Sequence, residues 1–348
     1  MDVYNLGTVT WRESQLYYHA LAYLRRPGLL LLQPNSPYVC LGFHQDARVE
    51  IDLDYLRAHR IPLFRREVGG GAVYLDRGQL FYQFVFDKDD PGVPASKDAF
   101  YRKYLTPVVE TFRDFGLPAE FKPVNDILVN GRKISGNGAA EIGDCIVLVG
   151  NFMLDFNYDE MARVLRVPDE KFRDKIHKSL GESLTTMKRE LGQAPALDEL
   201  SAKLLERSAG LVGGWTTADI DADILSRAAE IWQDHRRPQW TYFNDVRVRE
   251  GREVKIAEGV SVVQRVVKLP GGLVRLTATN REGRLHGIHL SGDFFIYPQD
   301  AVVALEADLE GIEAEQRPLA ARIAAFFDER GIEAPGISPD DLAEALVA

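Results

Sequence analysis

Apolar and polar positions alternate along this chain with two different periods, and the pattern predicts a mixed α and β protein built in two parts. Leu16, Tyr17, Ala20, Leu21 and Leu24 recur at helical spacing behind Thr10-Trp11-Arg12-Glu13, a capping-box sequence, so a first helix is expected to run to about Arg26. Pro27-Gly28 stops it. Residues 29–33 and 38–42 read as buried strands around a Pro-rich loop, 52–59 as a short helix, and 61–64 as the lead into a glycine run. Residues 73–76 and 79–86 form two strands about an Arg77-Gly78 turn, the second carrying Phe81, Tyr82, Phe84 and Phe86. An amphipathic helix follows over 99–115, with Pro107 as a kink point.

Asn130-Gly131, between Ile127-Leu128-Val129 and Lys133-Ile134-Ser135, is the strongest hairpin signal in the chain and puts Lys133 at the start of a strand. Residues 146–156 read as a strand, 159–165 as a helix, and 169–191 as a segment rich in Lys, Arg, Ser and Thr. Helical patterns over 197–208 and 217–234 lead into β-rich segments at 246–254, 260–269, 273–279 and 287–295, then helices at 298–309, 318–330 and 339–347. His286 and His289, three apart on a strand, are expected to point to opposite faces and so not to form a metal pair. The expected division is a first domain over 1–193, a helical connection over 194–241 and a smaller α+β domain over 242–348.

Composition narrows the function. With 45% hydrophobic and 27% charged residues the chain can bury a substantial core, and a formal net charge of −10 argues against non-specific nucleic-acid binding. Cys40 and Cys145 make no metal-binding spacing and suit a reducing compartment. The N-terminus lacks a basic segment leading into an apolar one, and no stretch approaches the length needed to cross a bilayer, so the expectation is a cytoplasmic monomer without a membrane partner.

Two segments stand out chemically. Gly69-Gly70-Gly71 removes every Cβ from a short run of backbone, just behind Arg65 and Arg66, whose planar forks suit phosphate or carboxylate. The plainer alternative is a glycine-rich hairpin beside a solvated charge pair. Lys133 follows a tight turn, where a lysine is ordinarily a solvated charge. Its company distinguishes it: Asn125-Asp126 precede it in the same hairpin and Ser135-Gly136-Asn137-Gly138 follow.

R-R-x-x-G-G-G-A-V-Y at 65–74, N-D-I-L-V-N-G-R-K-I-S-G at 125–136, and Gly150-Asn151-Phe152-Met153-Leu154 together resemble the biotin/lipoate protein ligase family, and within it the lipoate ligases. The resemblance covers about 1–190, with a looser match of the C-terminal part to the accessory domain. It implies a mixed sheet flanked by helices, plus a smaller C-terminal α+β accessory domain. It also implies an activity: ATP activates lipoate as lipoyl-AMP, which a lysine of a lipoyl-carrier protein then attacks. On that pattern Lys133 is the catalytic residue. Arg65, Arg66, Gly69, Gly70, Gly71, Ala72, Val73, Asn125, Asp126, Ser135, Gly136, Gly150 and Asn151 bind lipoate or the adenylate, with ATP and Mg²⁺ as cofactors. Asp126 either orients Lys133, holds Mg²⁺, or is simply a hairpin ion pair. Lys175 and Ser183 fall in the segment corresponding to the family's adenylate-binding loop. The chain departs from the pattern at Leu75, at Leu148-Val149 and at Ala139-Ala140, where the family often has His, His-His, and an aromatic with arginine. The alternatives are an octanoyl or lipoyl transferase, which in this superfamily acts through a cysteine just before the N-D hairpin, where this chain has Lys122-Pro123-Val124, and a non-catalytic lipoate-binding module. The GRGRxG-type loop of biotin ligase is absent.

Overall fold

The computed structural model describes residues 1–245 and 260–347. The strand expected over 246–254 lies outside the described residues. The chain divides into two compact units: Met1–Cys40, Ile51–Phe64 and Val73–Arg237 form the first, and Leu41–Glu50, Arg65–Ala72 and Pro238–Ala348 the second.

The strands of the first part of the chain are β1 (Asp2–Val9), β2 (Gly28–Pro34), β3 (Tyr38–Leu41), β4 (Leu63–Arg65), β5 (Val73–Leu75), β6 (Gln79–Asp87), β7 (Ala119–Lys122), β8 (Asp126–Val129), β9 (Arg132–Ile142), β10 (Cys145–Met153) and β11 (Thr216–Thr217). Eight of them make one sheet in the order β11-β1-β2-β6-β10-β9-β8-β7, and β3 is central in a small sheet with β4 and β5. Strand β1 runs parallel to β2 and β11, whereas β2, β6, β10, β9, β8 and β7 pair antiparallel in turn. The apolar pattern did not reveal β1, because polar residues and Gly7, at φ +60°, interrupt its alternation and a register shift follows Asn5.

Each face of this sheet is covered by a helix whose apolar stripe was readable. Lys97–Asp114 packs on the face bearing Tyr82, Phe84 and Phe86, with the Phe86 and Tyr104 rings stacked at 4.0 Å and Phe112 at 4.9 Å from Phe152. Pro107 is buried within that helix, which continues past it. Alternation sends Gln83 to the opposite face, where its Nε2 donates to the carbonyl of Ser14 at 2.7 Å in the helix Glu13–Tyr23. The expected capping exchange is present at that helix's start: the Thr10 amide donates to Glu13 Oε2 at 2.7 Å, and the Glu13 amide to Thr10 Oγ1 at 3.3 Å.

Residues 169–191, for which composition gives no element, are mostly helical. They form the helices Glu170–Ser183 and Met187–Leu191, each entered through a side-chain cap, Asp169 to the Phe172 amide and Thr186 to the Arg189 amide. The density of charge hid the amphipathic stripe of Phe172, Ile176 and Leu180, which remains only partly covered.

The hairpin positions the chemistry. Asn130 and Gly131 adopt φ +51° and +76°, the pair of left-handed residues that a two-residue turn matched to strand twist requires. Beyond the turn, Val129 faces Arg132 and Leu128 faces Lys133, but Ile127 faces Ser135 and Asp126 faces Gly136. Ile134 is therefore an extra residue, a β-bulge that reverses the alternation of β9.

The second unit contains a three-stranded antiparallel sheet, β12 (Val260–Leu269), β13 (Gly272–Arg281) and β14 (Arg284–Gly292), in that order. Its helices Ala301–Asp308, Gln316–Arg330 and Pro339–Val347 share a core with it that includes Val274, Leu276, Leu290, Leu305, Ile323 and Phe326. A register shift in β14 overturns the opposite-face expectation for the two histidines: His289 meets Glu306 of the helix Ala301–Asp308 at 3.5 Å and His286 meets Glu310, in the turn just after that helix, at 2.8 Å. Among the described residues, no helix is long and apolar enough to cross a membrane.

Phe152 is fully buried between Tyr82 and Phe112. Phe152→Ala is expected to destabilise the first unit by about 3–5 kcal/mol, the usual cost of deleting a core aromatic ring, measured by denaturant unfolding.

Candidate active site

The bulge at Ile134 determines which side chains meet. Because it reverses alternation, Gly136 joins Lys133 and Asp126 on one face, where Lys133 Nζ sits 2.6 Å from Asp126 Oδ1. Both side chains are about one-third exposed, at 34% and 29%. Gly136 makes room for the ammonium: a Cβ there would lie 3.3 Å from Lys133 Cε. The Gly136 amide donates to Asn151 Oδ1 at 3.0 Å, and Asn151 Nδ2 donates to Gln79 Oε1 at 2.6 Å. Lys133, Asp126, Gly136, Asn151 and Gln79 thus form one connected polar patch at the ends of β6, β8, β9 and β10. The backbone beneath Lys133 is held from outside the sheet. The Thr185 amide donates to the Lys133 carbonyl at 2.9 Å, and Glu190 accepts from Thr185 Oγ1, from Asn130 at 3.0 Å and from Arg132 at 2.8 Å.

Ser135, Asn125 and Gly150 serve the other face. Ser135 is fully buried, its hydroxyl 2.9 Å from that of Tyr82. The Asn125 side chain donates to the Asn137 carbonyl, and Asn137 Nδ2 returns a bond to the Asn125 carbonyl at 2.9 Å. Gly150 is needed because a Cβ would lie 2.2 Å from Asn137 Oδ1 and 2.5 Å from the Tyr82 ring. These three expected ligand contacts are instead packing and hydrogen-bonding partners beneath the sheet: the bulge turns Ser135 over, and ordinary alternation puts Asn125 opposite Asp126 and Gly150 opposite Asn151. Lys175 and Ser183 are exposed on the helix Glu170–Ser183. Gln79, Tyr82 and Asn137 were not foreseen. Gln79 directly follows the Arg77-Gly78 turn and Asn137 sits between two glycines, signals that acquire meaning only once the register is known.

In the second unit the glycine run and its arginines are also committed to protein. Arg65 has no exposed side-chain surface. Its Nη1 donates to the carbonyls of Gly42, Phe43 and Gln45 at 2.7–3.0 Å, and Nε and Nη2 to that of Thr241 at 2.9 and 2.7 Å. A guanidinium without exposed surface and engaged by four backbone carbonyls is directed into the protein, not at a ligand, which corrects the binding role expected for Arg65. Arg66 Nη2 donates to the carbonyls of Gly69 and Gly71, at 2.7 and 2.9 Å, and so clamps the run. The Gly70 amide is spent on the Phe294 carbonyl at 3.0 Å. A Cβ on Gly69 would lie 2.7 Å from that carbonyl oxygen, and one on Gly70 2.8 Å from the Phe295 ring. The glycines permit close approach of backbone, as their pattern implied, but to another stretch of this unit. Ala72 is half-buried and Val73 exposed.

Asp245 is buried against this arrangement. Its Oδ1 accepts from the Ala47 amide at 2.9 Å and lies 3.9 Å from Arg65, and its Oδ2 is 3.1 Å from Arg48 Nε. Burial, reinforced by the neighbouring Asp46, holds its carboxyl well above the ordinary carboxylate range in spite of the arginines.

Residues 11–209, more than half of the chain, match the model of the lipoyl protein ligase A/B catalytic domain. The chain belongs to that family. It is similar to lipoate–protein ligase 1 of Staphylococcus aureus, 27% identical over 80% of this chain and 81% of the relative. Among solved structures it resembles that of a bi-partite lipoate protein ligase and its E2 lipoyl domain from Thermoplasma acidophilum, with a TM-score of 0.63, 27% identity, and coverage of 74% of this chain and 98% of the other. It also resembles lipoate-protein ligase A bound with ATP, with a TM-score of 0.58, 25% identity, and coverage of 69% and 98%. An octanoyltransferase LipM of Kyrpidia tusciae is a further relative, 23% identical over 62% of this chain and 87% of the relative. The mixed sheet with flanking helices and the smaller C-terminal sheet-and-helix part are those of a lipoate ligase fold.

Two outcomes follow from this geometry. In a crystal structure of Gly136→Ala, the added methyl group is expected to push Lys133 Nζ out of hydrogen-bond distance from Asp126 while the hairpin register stays intact. Because the Asp245 carboxyl binds its proton more tightly folded than unfolded, it favours folding most at low pH. That contribution is lost as pH rises from the ordinary carboxylate range towards neutrality. Urea unfolding of Asp245→Asn is expected to show a flatter stability profile across that window than the parent protein.

Proposed function

We propose that this lipoate-ligase family member is an ATP-dependent, AMP-forming ligase that makes lipoyl-AMP and transfers the lipoyl group to a lysine of a lipoyl-carrier protein. The observation that carries the reading is the Lys133–Asp126 pair, held about one-third exposed above Gly136. In the first step a carboxylate oxygen of lipoate attacks the α-phosphorus of ATP and pyrophosphate departs. Two anions approach each other, and a fixed ammonium lowers the cost of their repulsion and of the charge that builds on the phosphate. Lys133 bridges the acid's oxygen and the α-phosphate, Asp126 fixes the direction of its ammonium, and Asn151 offers an amide beside them. In the second step the acceptor lysine's amine attacks the acyl carbon and AMP leaves. Of the candidate metal ligands, Asp126 fits Mg²⁺ in type: it is a hard, partly exposed oxygen donor, and magnesium is commonly held by one or two carboxylates together with substrate phosphates. Bound there, the ion would neutralise phosphate charge.

The competing reading is acyl transfer through a cysteine thioester, and the thiols of this chain argue against it. Cys40 and Cys145 are both buried. Burial, with a smaller effect of Asp87, pushes the Cys145 thiol up to about 11, away from the reactive thiolate. Cys145 also pairs with Ile142, at the end of β9 remote from Lys133.

The test is pyrophosphate release from ATP and lipoate with no acceptor present. The parent protein and a Cys40→Ser/Cys145→Ser double variant are expected to release it at similar rates, and Lys133→Ala to lose about 10²–10³-fold, the scale for removing one transition-state charge partner. Acyl transfer without ATP, abolished by the cysteine changes, would reverse the assignment.

A further inference from the structure

We propose that Tyr82 is a positioning residue for Lys133, acting from the opposite face of the sheet through Asn137 and Asn125; this rests on the role given to Lys133 above. The connection can be followed bond by bond. Tyr82 has no exposed surface, and burial pushes its phenol up, so its hydroxyl remains a donor. That hydroxyl donates to Asn137 Oδ1 and lies 2.9 Å from Ser135 Oγ. Asn137, oriented in this way, directs Nδ2 to the carbonyl of Asn125 at 2.9 Å, and the Asn125 side chain donates back to the carbonyl of Asn137.

The last paired rung of β8 and β9 is Asp126 with Gly136. Asn125 and Asn137 occupy the next rung, so the reciprocal side-chain bonds extend the ladder one step past the end of β8. They thereby fix the backbone that carries Asp126. Asp126 in turn holds the ammonium of Lys133 at 2.6 Å. Without the Tyr82 hydroxyl, Asn137 Oδ1 is a buried acceptor with no donor, and its amide has no reason to keep the orientation that ties down Asn125. Gly150 is part of the same construction, because only a missing side chain lets Tyr82 and Asn137 meet there.

Tyr82→Phe deletes one oxygen and keeps the ring among Phe152 and Phe84. Two measurements separate positioning from bulk stability. The first is competitive acetylation of Lys133 with trace acetic anhydride, read by mass spectrometry, which does not depend on any catalysed reaction. The variant is expected to label several-fold faster, because the amine is no longer held by Asp126. The second is pyrophosphate release, where kcat is expected to fall about 10- to 100-fold for a reacting group displaced by roughly an ångström. KM values for ATP and lipoate should stay within about twofold, since uniform binding is untouched. Phe84→Leu, a core change on the same strand, serves as the stability-matched control and should alter the melting temperature without altering either readout. Unchanged labelling of Lys133 in Tyr82→Phe overturns the proposal whatever the activity. A parent protein that releases no pyrophosphate overturns the proposed reaction alone, and the labelling result still decides the brace.

Discussion

The constraint on which the site depends is one surplus residue in a strand. In an unbroken ladder Lys133 and Ser135 would share the face of Asp126, and Gly136 would lie on the other. With it, a lysine, an aspartate and a glycine line up on one side, and a serine, two asparagines and a tyrosine interlock on the other. A bulge is a small perturbation of a ladder, but because strand side chains alternate with period two, it exchanges the roles of everything on one side of it. The amine and its support are consequently made by the same few residues.

Much of the framework was legible because it rests on local chemistry. Asn130-Gly131 specifies a turn by its left-handed residues, Thr10 and Glu13 exchange the bonds that start a helix, and the aromatic run of β6 fills the centre of a sheet. Sheet order and register were not legible, since they depend on partners distant in the chain. That is why Ser135 and Gly150 were read as ligand contacts, and why His286 and His289 were expected to diverge when a second register shift brings them beside one helix and the turn just after it. The charged stretch 169–191 hid two helices because its caps are single side chains among many similar ones.

Charge, too, reads differently in sequence and in space. Two adjacent arginines before three glycines suggest an anion grip, and the second unit uses them inwardly, one as a hub for carbonyls and one as a clamp on the run. The lone lysine, by contrast, keeps a single short ion pair and about a third of its surface. Exposure separates the two kinds of cation, and exposure is a property of the fold.

Arg65 has one more effect. Residues 42–45 are irregular chain and Thr241 ends the short helix Pro238–Thr241, and one guanidinium gathers the carbonyls of Gly42, Phe43, Gln45 and Thr241. Segments fastened to a single knot cannot loosen separately. In this unit the segment 42–45 and the end of the helix Pro238–Thr241 should therefore open and close together, as one cooperative and largely buried patch.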